Sequence, residues 1–192
     1  DGTQVATSTQ SPATNTAKPA NPAPAARPAG PAETQSDRPL QLKQVVEDMI
    51  ADKLITKETG EQLLINRRSF QSSQHPLILI GDQKWKDLRD PKKTLHLEHL
   101  TQWLANRVSL DYFHIDPFKV DFAAVTKVMS NAYAERYKIL PVAVSTNEVT
   151  IATAEPFVRE WEPQLQQVLR LPIKRVIANP IEIQSYIVEF YN

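Results

Sequence analysis

The chain has 192 residues, carries 22 Lys+Arg against 22 Asp+Glu, and contains no cysteine. The missing cysteines exclude a disulfide framework, a thiolate nucleophile and any Cys-based zinc or iron–sulfur site. Zero net charge lacks the basic footprint of a nucleic-acid binder, and no apolar run approaches the ~18–20 residues that span a bilayer as a helix.

Composition divides the chain unevenly. Residues 1–40 hold seven of the fifteen prolines, nine alanines, six charged side chains and no aromatic residue. All fourteen aromatics lie between Phe70 and Tyr191. The segment Asn15–Pro39 is Pro/Ala-rich and lacks the large apolar side chains that offset chain entropy. It reads as a disordered, semi-rigid tether; Arg27-Pro28 and Arg38-Pro39 are isolated basic–proline pairs rather than a P-x-x-P array. Folding is expected over 41–192, about 150 residues, enough to bury roughly two-thirds of its unfolded surface. The chain opens on Asp1 and closes on Tyr191-Asn192 directly after an apolar helical pattern, as expected of a segment cut from a longer protein.

Structure is expected to begin at Leu40. Leu42, Val45, Val46, Met49 and Ile50 form one apolar stripe over residues 41–52. Thr56 is an N-cap for a second short helix carrying Leu63, Leu64 and Ile65, which completes a helical hairpin. Its only basic cluster is Arg67-Arg68 at the far end, too little for DNA. Ser69–Ser73 reads as loop, and His75-Pro76-Leu-Ile-Leu-Ile80-Gly81 as a short buried strand. Asp82–Pro91 is charged, punctuated by Trp85 and Leu88. Thr94 caps a helix with Leu95, Leu97, Leu100, Trp103, Leu104 and Val108 along it.

Tyr112–Asp116 precedes Pro117 and reads as extended. Phe118, Phe122, Val125, Val128 and Met129 then fall at helical spacing. Lys138–Val144 and Glu148–Ala152 are strands joined at Ser145-Thr146-Asn147. A helix is expected from Glu155-Pro156 to Arg170, with Phe157, Trp161, Leu165, Val168 and Leu169 inward. Ile173–Ala178 is a strand, and Pro180 opens a last helix with Ile181, Ile183, Ile187, Val188 and Tyr191. The fold class is therefore α/β (α+β): a tail over 1–40, a mainly helical subdomain over 41–110, and a small β-α-β-β-α-β-α domain over 111–192.

Chemistry-bearing motifs are absent. Gly60 and Gly81 are the only glycines after residue 40, so neither a phosphate loop nor G-x-G-x-x-G can be built. No G-x-S-x-G elbow occurs. His96 and His99, three apart on a helix, with His114 as a distant third, read as surface and interface histidines rather than metal ligands. Asp111, Asp116 and Asp121 lack the glycine and terminal glutamate of a calcium loop, and read as caps and turns. Phe118, Phe122, Tyr133 and Tyr137 read as core. No catalytic, cofactor-binding or metal-binding residue is assigned.

Three strings carry a resemblance: Phe113-His114-Ile115-Asp116-Pro117, Tyr133–Val142, and Val149–Phe157, preceded by Leu104–Leu110. Ile139–Val142 and Ile151–Pro156 match, in order and spacing, a signature of the N-terminal domains of the type II secretion and type IV pilus assembly ATPases (the general secretory pathway protein E family), and Ile181–Tyr191 resembles that family's closing helix. The family's "A..DP" stands here as Ala154-Glu155-Pro156. The resemblance implies a non-catalytic docking and regulatory region, cytoplasmic and peripheral to the bacterial inner membrane. Its implied partners are the cytoplasmic domain of an inner-membrane assembly protein and its own hexameric ATPase core. That core, with ATP and Mg, would lie beyond Asn192. Relatives that bind cyclic di-GMP carry an Arg-Leu-Gly start and a Gly before the second helix of the hairpin. Here Gln44-Val45-Val46 and Lys53 occupy those places, without the glycines that permit close backbone approach; no cofactor is expected in this chain, and a cyclic di-GMP-sensing module or a free-standing adaptor protein stands as the alternative to the docking role.

Overall fold

A computed structural model of the chain describes Gly2 and residues 37–66 and 74–192. The Pro/Ala tether proper, Arg67-Arg68 and the Ser69–Ser73 loop lie outside the described residues. The described residues from Asp37 onward belong to one compact unit.

Helices α1 (Leu42–Ala51) and α2 (Lys57–Asn66) form the expected hairpin. The chain leaves α1 through Lys53 in the left-handed region, φ 62°. Leu54 N–H reaches Met49 O at 2.9 Å and Lys53 N–H reaches Ile50 O at 3.0 Å, the paired bonds of a Schellman end. Gly60 lets the two helices meet: a Cβ there would lie 2.7 Å from Val46 Cγ1.

The run at 76–81 is not a strand. Pro76–Gly81 is helix α3, with Pro76, Leu77 and Ile80 buried on one face and His75 as its N-cap. A short apolar run suits a buried strand and a buried helix equally, and here proline at the first helical position decided for helix. The charged stretch after it folds as a hairpin, β1 (Lys86–Asp87) against β2 (Asp90–Thr94). Helix α4 (Leu97–Arg107) follows, capped by His96 rather than Thr94. These elements surround one core that includes Val46, Met49, Leu54, Leu77, Ile80, Leu95 and Leu100.

The second core is built on a four-stranded mixed sheet. In chain order its strands are β3 (Asp111–Tyr112), β4 (Ile139–Val144), β5 (Val149–Thr153) and β6 (Ile173–Ile177). Their order in space is β3-β6-β5-β4, with β4 antiparallel to β5 and both other pairs parallel. Helix α7 (Trp161–Leu169) starts five residues later than the sequence suggests, because residues 155–160 turn first. Helix α8 (Pro180–Tyr191) closes the domain, with Asn179 Oδ1 accepting from Ile181 and Glu182 N–H.

The expected helix over Phe118–Met129 is cut to α5 (Phe122–Val125). Asp116 Oδ1 accepts from Phe118 N–H at 3.0 Å and Asp121 caps α5, so the backbone turns before helix can form. Phe118 consequently points to solvent, 97% exposed, and not into the core. Another short helix, α6 (Asn131–Tyr137), follows a Ser130 cap. Ile177 of β6 packs in the first core, while its neighbours Val176 and Ala178 face the second.

Candidate functional site

The densest polar cluster sits where the β1–β2 hairpin meets α4. Asp87 is 2% exposed, and its carboxylate is wrapped. Arg89 grips it with Nε (3.1 Å) and Nη2 (3.0 Å), the Arg89 backbone N–H adds a bond at 2.8 Å, and His99 Nε2 lies 2.9 Å away. Burial pushes the Asp87 carboxyl up, but the bonds from Arg89 and His99 outweigh it and hold the group at about 2. One helical turn along α4, Trp103 Nε1 donates to Asp52 Oδ2 at 2.8 Å. Arg107 bridges Asp52 (2.7 Å) and Asp48 (3.0 Å), tying α4 to α1.

Between these groups lies a cleft of about 310 Å³ walled by Asp52, Arg89, His99, Trp103, Asn106 and Arg107. Each guanidinium has five N–H groups, more than the bonds it spends on Asp48, Asp52 and Asp87. The cleft can therefore grip a carboxylate or carbonyl of another chain while the aspartates fix the forks in place. The carboxylate nearest His99 has both oxygens engaged by Arg89 and His99.

A second cluster joins the two cores. His75 Nδ1 accepts from Leu77 N–H at 3.1 Å, and its Nε2 lies 2.6 Å from Ala154 O. That pair of contacts is satisfied only by a neutral ring protonated on Nε2. Burial pushes the imidazole down to about 4, with the Ala154 carbonyl opposing and Lys138 adding to the fall. Glu155 Oε1 lies 3.5 Å from the same Nε2, whose one hydrogen already serves Ala154. Glu155 Oε2 accepts from Leu40 N–H at 2.7 Å. Burial raises the Glu155 carboxyl to about 7, although Leu40 N–H and Lys138 favour the charged form. The pair is thus neutral, not ionic, in mildly acidic solution. Asp37 Oδ2, accepting from Arg159 N–H at 3.0 Å, pins the chain just before Leu40 to the same turn.

The sequence candidates fall elsewhere. His96 caps α4 by accepting from His99 N–H, His99 serves Asp87, and His114 is exposed, 4.0 Å from Glu182. No group of three metal-ligating side chains occurs among the described residues. Asp111 pairs with Lys174, while Asp116 and Asp121 close turns. Tyr133 and Tyr137 pack against the second core. Sequence reasoning missed the Asp87 cluster, because Asp87 and Arg89 look like an ordinary charge run until the hairpin buries one of them. The strings that carry the family resemblance are β4, whose first four residues are all buried, and β5 with the turn that holds Glu155.

The MshEN domain family model matches residues 108–192, which take in the whole four-stranded sheet. Residues 108–192 are an MshEN domain. A curated relative, the type IV pilus assembly ATPase TfpB of Acinetobacter baylyi, is 37% identical over 141 residues, 73% of this chain. The chain spans only 23% of that relative's length. Among solved structures, the N-terminal domain of XpsE matches with TM-score 0.51 and 16% identity, covering 81% of this chain and 99% of that one. It shows the fold: helices packed ahead of a small mixed sheet. A structure of MshE with cdg matches at TM-score 0.49 and 18% identity, covering 79% of this chain and 99% of that one. The resemblance to N-terminal domains of secretion and pilus assembly ATPases, drawn from Ile139–Val142 and Ile151–Pro156, is the one these comparisons return.

Proposed function

We propose that the chain is the non-catalytic N-terminal docking and regulatory region of a type IV pilus or type II secretion ATPase. It links a hexameric, ATP- and Mg-dependent motor to the cytoplasmic domain of an inner-membrane assembly protein. The carrying observation is the 37% identity to a pilus assembly ATPase, which extends well beyond the 85 residues of the MshEN match. The domain split behind this reading is 41–110 for the helical subdomain and 111–192 for the MshEN domain. No helix among the described residues is long and apolar enough to cross a membrane, which suits a peripheral cytoplasmic role. The Arg89–Arg107 cleft supplies the contact surface: guanidiniums braced by buried carboxylates, ready for an acidic or carbonyl-rich partner segment. The Pro/Ala-rich stretch before Asp37 acts as tether, while Asp37 and Leu40 are held against the folded unit.

Biolayer interferometry against the cytoplasmic domain of the assembly-platform protein from the same operon tests this. Arg107→Glu is expected to weaken binding about tenfold or more while leaving the far-ultraviolet spectrum unchanged. Unaltered affinity would remove the cleft from the interface, and no binding by the intact chain would remove the docking role. The reading assigns no cyclic di-GMP to residues 41–108. Val46 is wholly buried in the first core, and Lys53 puts a long side chain on a left-handed backbone. Calorimetric heat from the dinucleotide at tens of micromolar protein would overturn that assignment.

A further inference from the structure

An aromatic strip crosses the MshEN domain on a face built by α5 and α8, apart from the Arg89–Arg107 cleft of α4. Phe122, 40% exposed, meets the buried Phe190 in a tilted contact with ring centroids 4.5 Å apart, and Phe190 in turn meets the half-buried Tyr186 at 5.4 Å. Phe118, on the Asp116 turn that leads into α5, is 97% exposed, the most exposed large apolar side chain among the described residues. An aromatic ring left wholly in water contributes nothing to the fold, since its burial would be worth more than almost any other side chain's. Scattered apolar residues are ordinary, but an aromatic series of this kind marks a contact surface.

The charges around the strip are acidic. Asp116, Glu182 and Glu189 all act on the Tyr186 hydroxyl and, with its burial, push it up. Facing them are Lys119 beside Phe118 and the exposed His114, which lies 4.0 Å from Glu182. Asp121 caps α5.

We propose that this strip is a docking surface for a basic amphipathic helix of a partner protein, its aliphatic face on Phe118, Phe122 and Tyr186 and its lysines or arginines over the acidic rim. Charge complementarity selects this occupant. A second copy of the chain would bring the same carboxylates against themselves, and an anionic lipid surface would meet a like-charged rim. Aromatic faces also attract cations directly. The inference goes beyond the docking reading above, because it concerns a different face and holds whether or not the α4 cleft binds anything.

The test uses the full ¹⁵N-labelled chain and two synthetic 18-residue amphipathic peptides, one of leucine and lysine and one of leucine and glutamate. The lysine peptide is expected to shift amide signals in residues 116–122 and 182–190, and the glutamate peptide to leave them in place. Phe118→Ala touches no packed neighbour and is expected to weaken the lysine peptide about tenfold. Glu189→Lys should weaken it too and bring the glutamate peptide into the same site. Equal response to both peptides, shifts scattered over the surface or centred on Arg89 and Arg107, or indifference to Phe118→Ala would each overturn the proposal. So would concentration-dependent shifts of the same residues without peptide, which would make the occupant a second copy.

Discussion

Replacing Glu155 by glutamine and, separately, His75 by asparagine should uncover two opposed pH dependences that cancel in the unmodified chain. Burial lifts the Glu155 carboxyl from 4.5 to about 7, so its protonated form favours the fold. The stability tied to that group is complete below the unfolded value and is lost as pH rises towards 7. His75 runs the other way. Burial lowers it from 6.5 to about 4, so its contribution is complete above 6.5 and is lost as pH falls towards 4. At about 1.4 kcal/mol per pH unit, each displacement is worth about 3 kcal/mol. The folded pair holds one proton between about pH 4 and 7. The same two groups unfolded also hold one between their ordinary values, so the pair adds almost no slope from pH 4.5 to 6.5. Glu155→Gln leaves His75 alone: relative to the parent, stability should fall by about 2–3 kcal/mol between pH 6.5 and 4.5. His75→Asn keeps an N-cap for α3 and leaves Glu155 alone, so stability should fall by about 3 kcal/mol between pH 4.5 and 7.5. Urea unfolding followed by tryptophan fluorescence at four pH values supplies the differences, and other titrations cancel on subtraction. Two variants whose profiles run parallel to the parent's would refute the argument, and so would slopes of the reverse sign.

Two further substitutions probe the cores. Trp161 is wholly buried and its Nε1 donates to Val158 O at 3.0 Å, so Trp161→Ala should cost about 3–5 kcal/mol in urea unfolding and Trp161→Phe only ~1–2. Equal losses would place the energy in the hydrogen bond and not the packing. At Gly60 an alanine gains ~1 kcal/mol of helix propensity but meets Val46 Cγ1 at 2.7 Å and Ile50 Cδ1 at 2.8 Å. Ile50 can swing away and buried Val46 cannot, so an overpacking cost of ~1–3 kcal/mol wins and Gly60→Ala should lower stability by about 1 kcal/mol. A stabilised variant would mean that α1 and α2 separate easily.

Much of the MshEN half was legible because its apolar residues alternate with clear breaks. Strands β4, β5 and β6 and helix α8 begin and end within a residue or two of their sequence-derived bounds. The first half read less well, for identifiable reasons. Pro76–Gly81 is short and entirely apolar, so periodicity could not separate strand from helix, and the buried spacing of Leu77 and Ile80 emerges only from the coordinates. Strand β2 reads DPKKT, with no buried residue among its five, and nothing in such a string announces a ladder. It forms because Trp85 and Leu95 bring the hairpin ends together, Leu95 N–H donating to Trp85 O at 2.7 Å. Phe118 misled for the opposite reason. Its helical spacing with Phe122 and Val125 was accidental, and the local Asp116 and Asp121 turns overrode it.

The candidate site was less legible than the fold, because its groups acquire their character only when distant segments meet. Glu155 stands twelve residues or more from every charged group that burial sets around it except those of its own turn. Its partner Leu40 is 115 positions away and His75 is 80. The two cores meet at this acid, at the Asn179–Glu98 hydrogen bond of 3.1 Å, at Ile177, the one β6 side chain that packs in the first core, and at Tyr112 and Phe157, which pack against that core. Ile177, Tyr112 and Phe157 are the apolar joints, and the other two rest on buried or half-buried carboxylates. Glu98 and Glu182 each keep a buried oxygen without a hydrogen-bond partner. The polar joints fix the geometry of the seam while contributing little net stability, because desolvating each acid offsets most of what its hydrogen bonds return. The apolar joints therefore supply the seam's stability, and the carboxylates set the position of the helical subdomain against the MshEN domain.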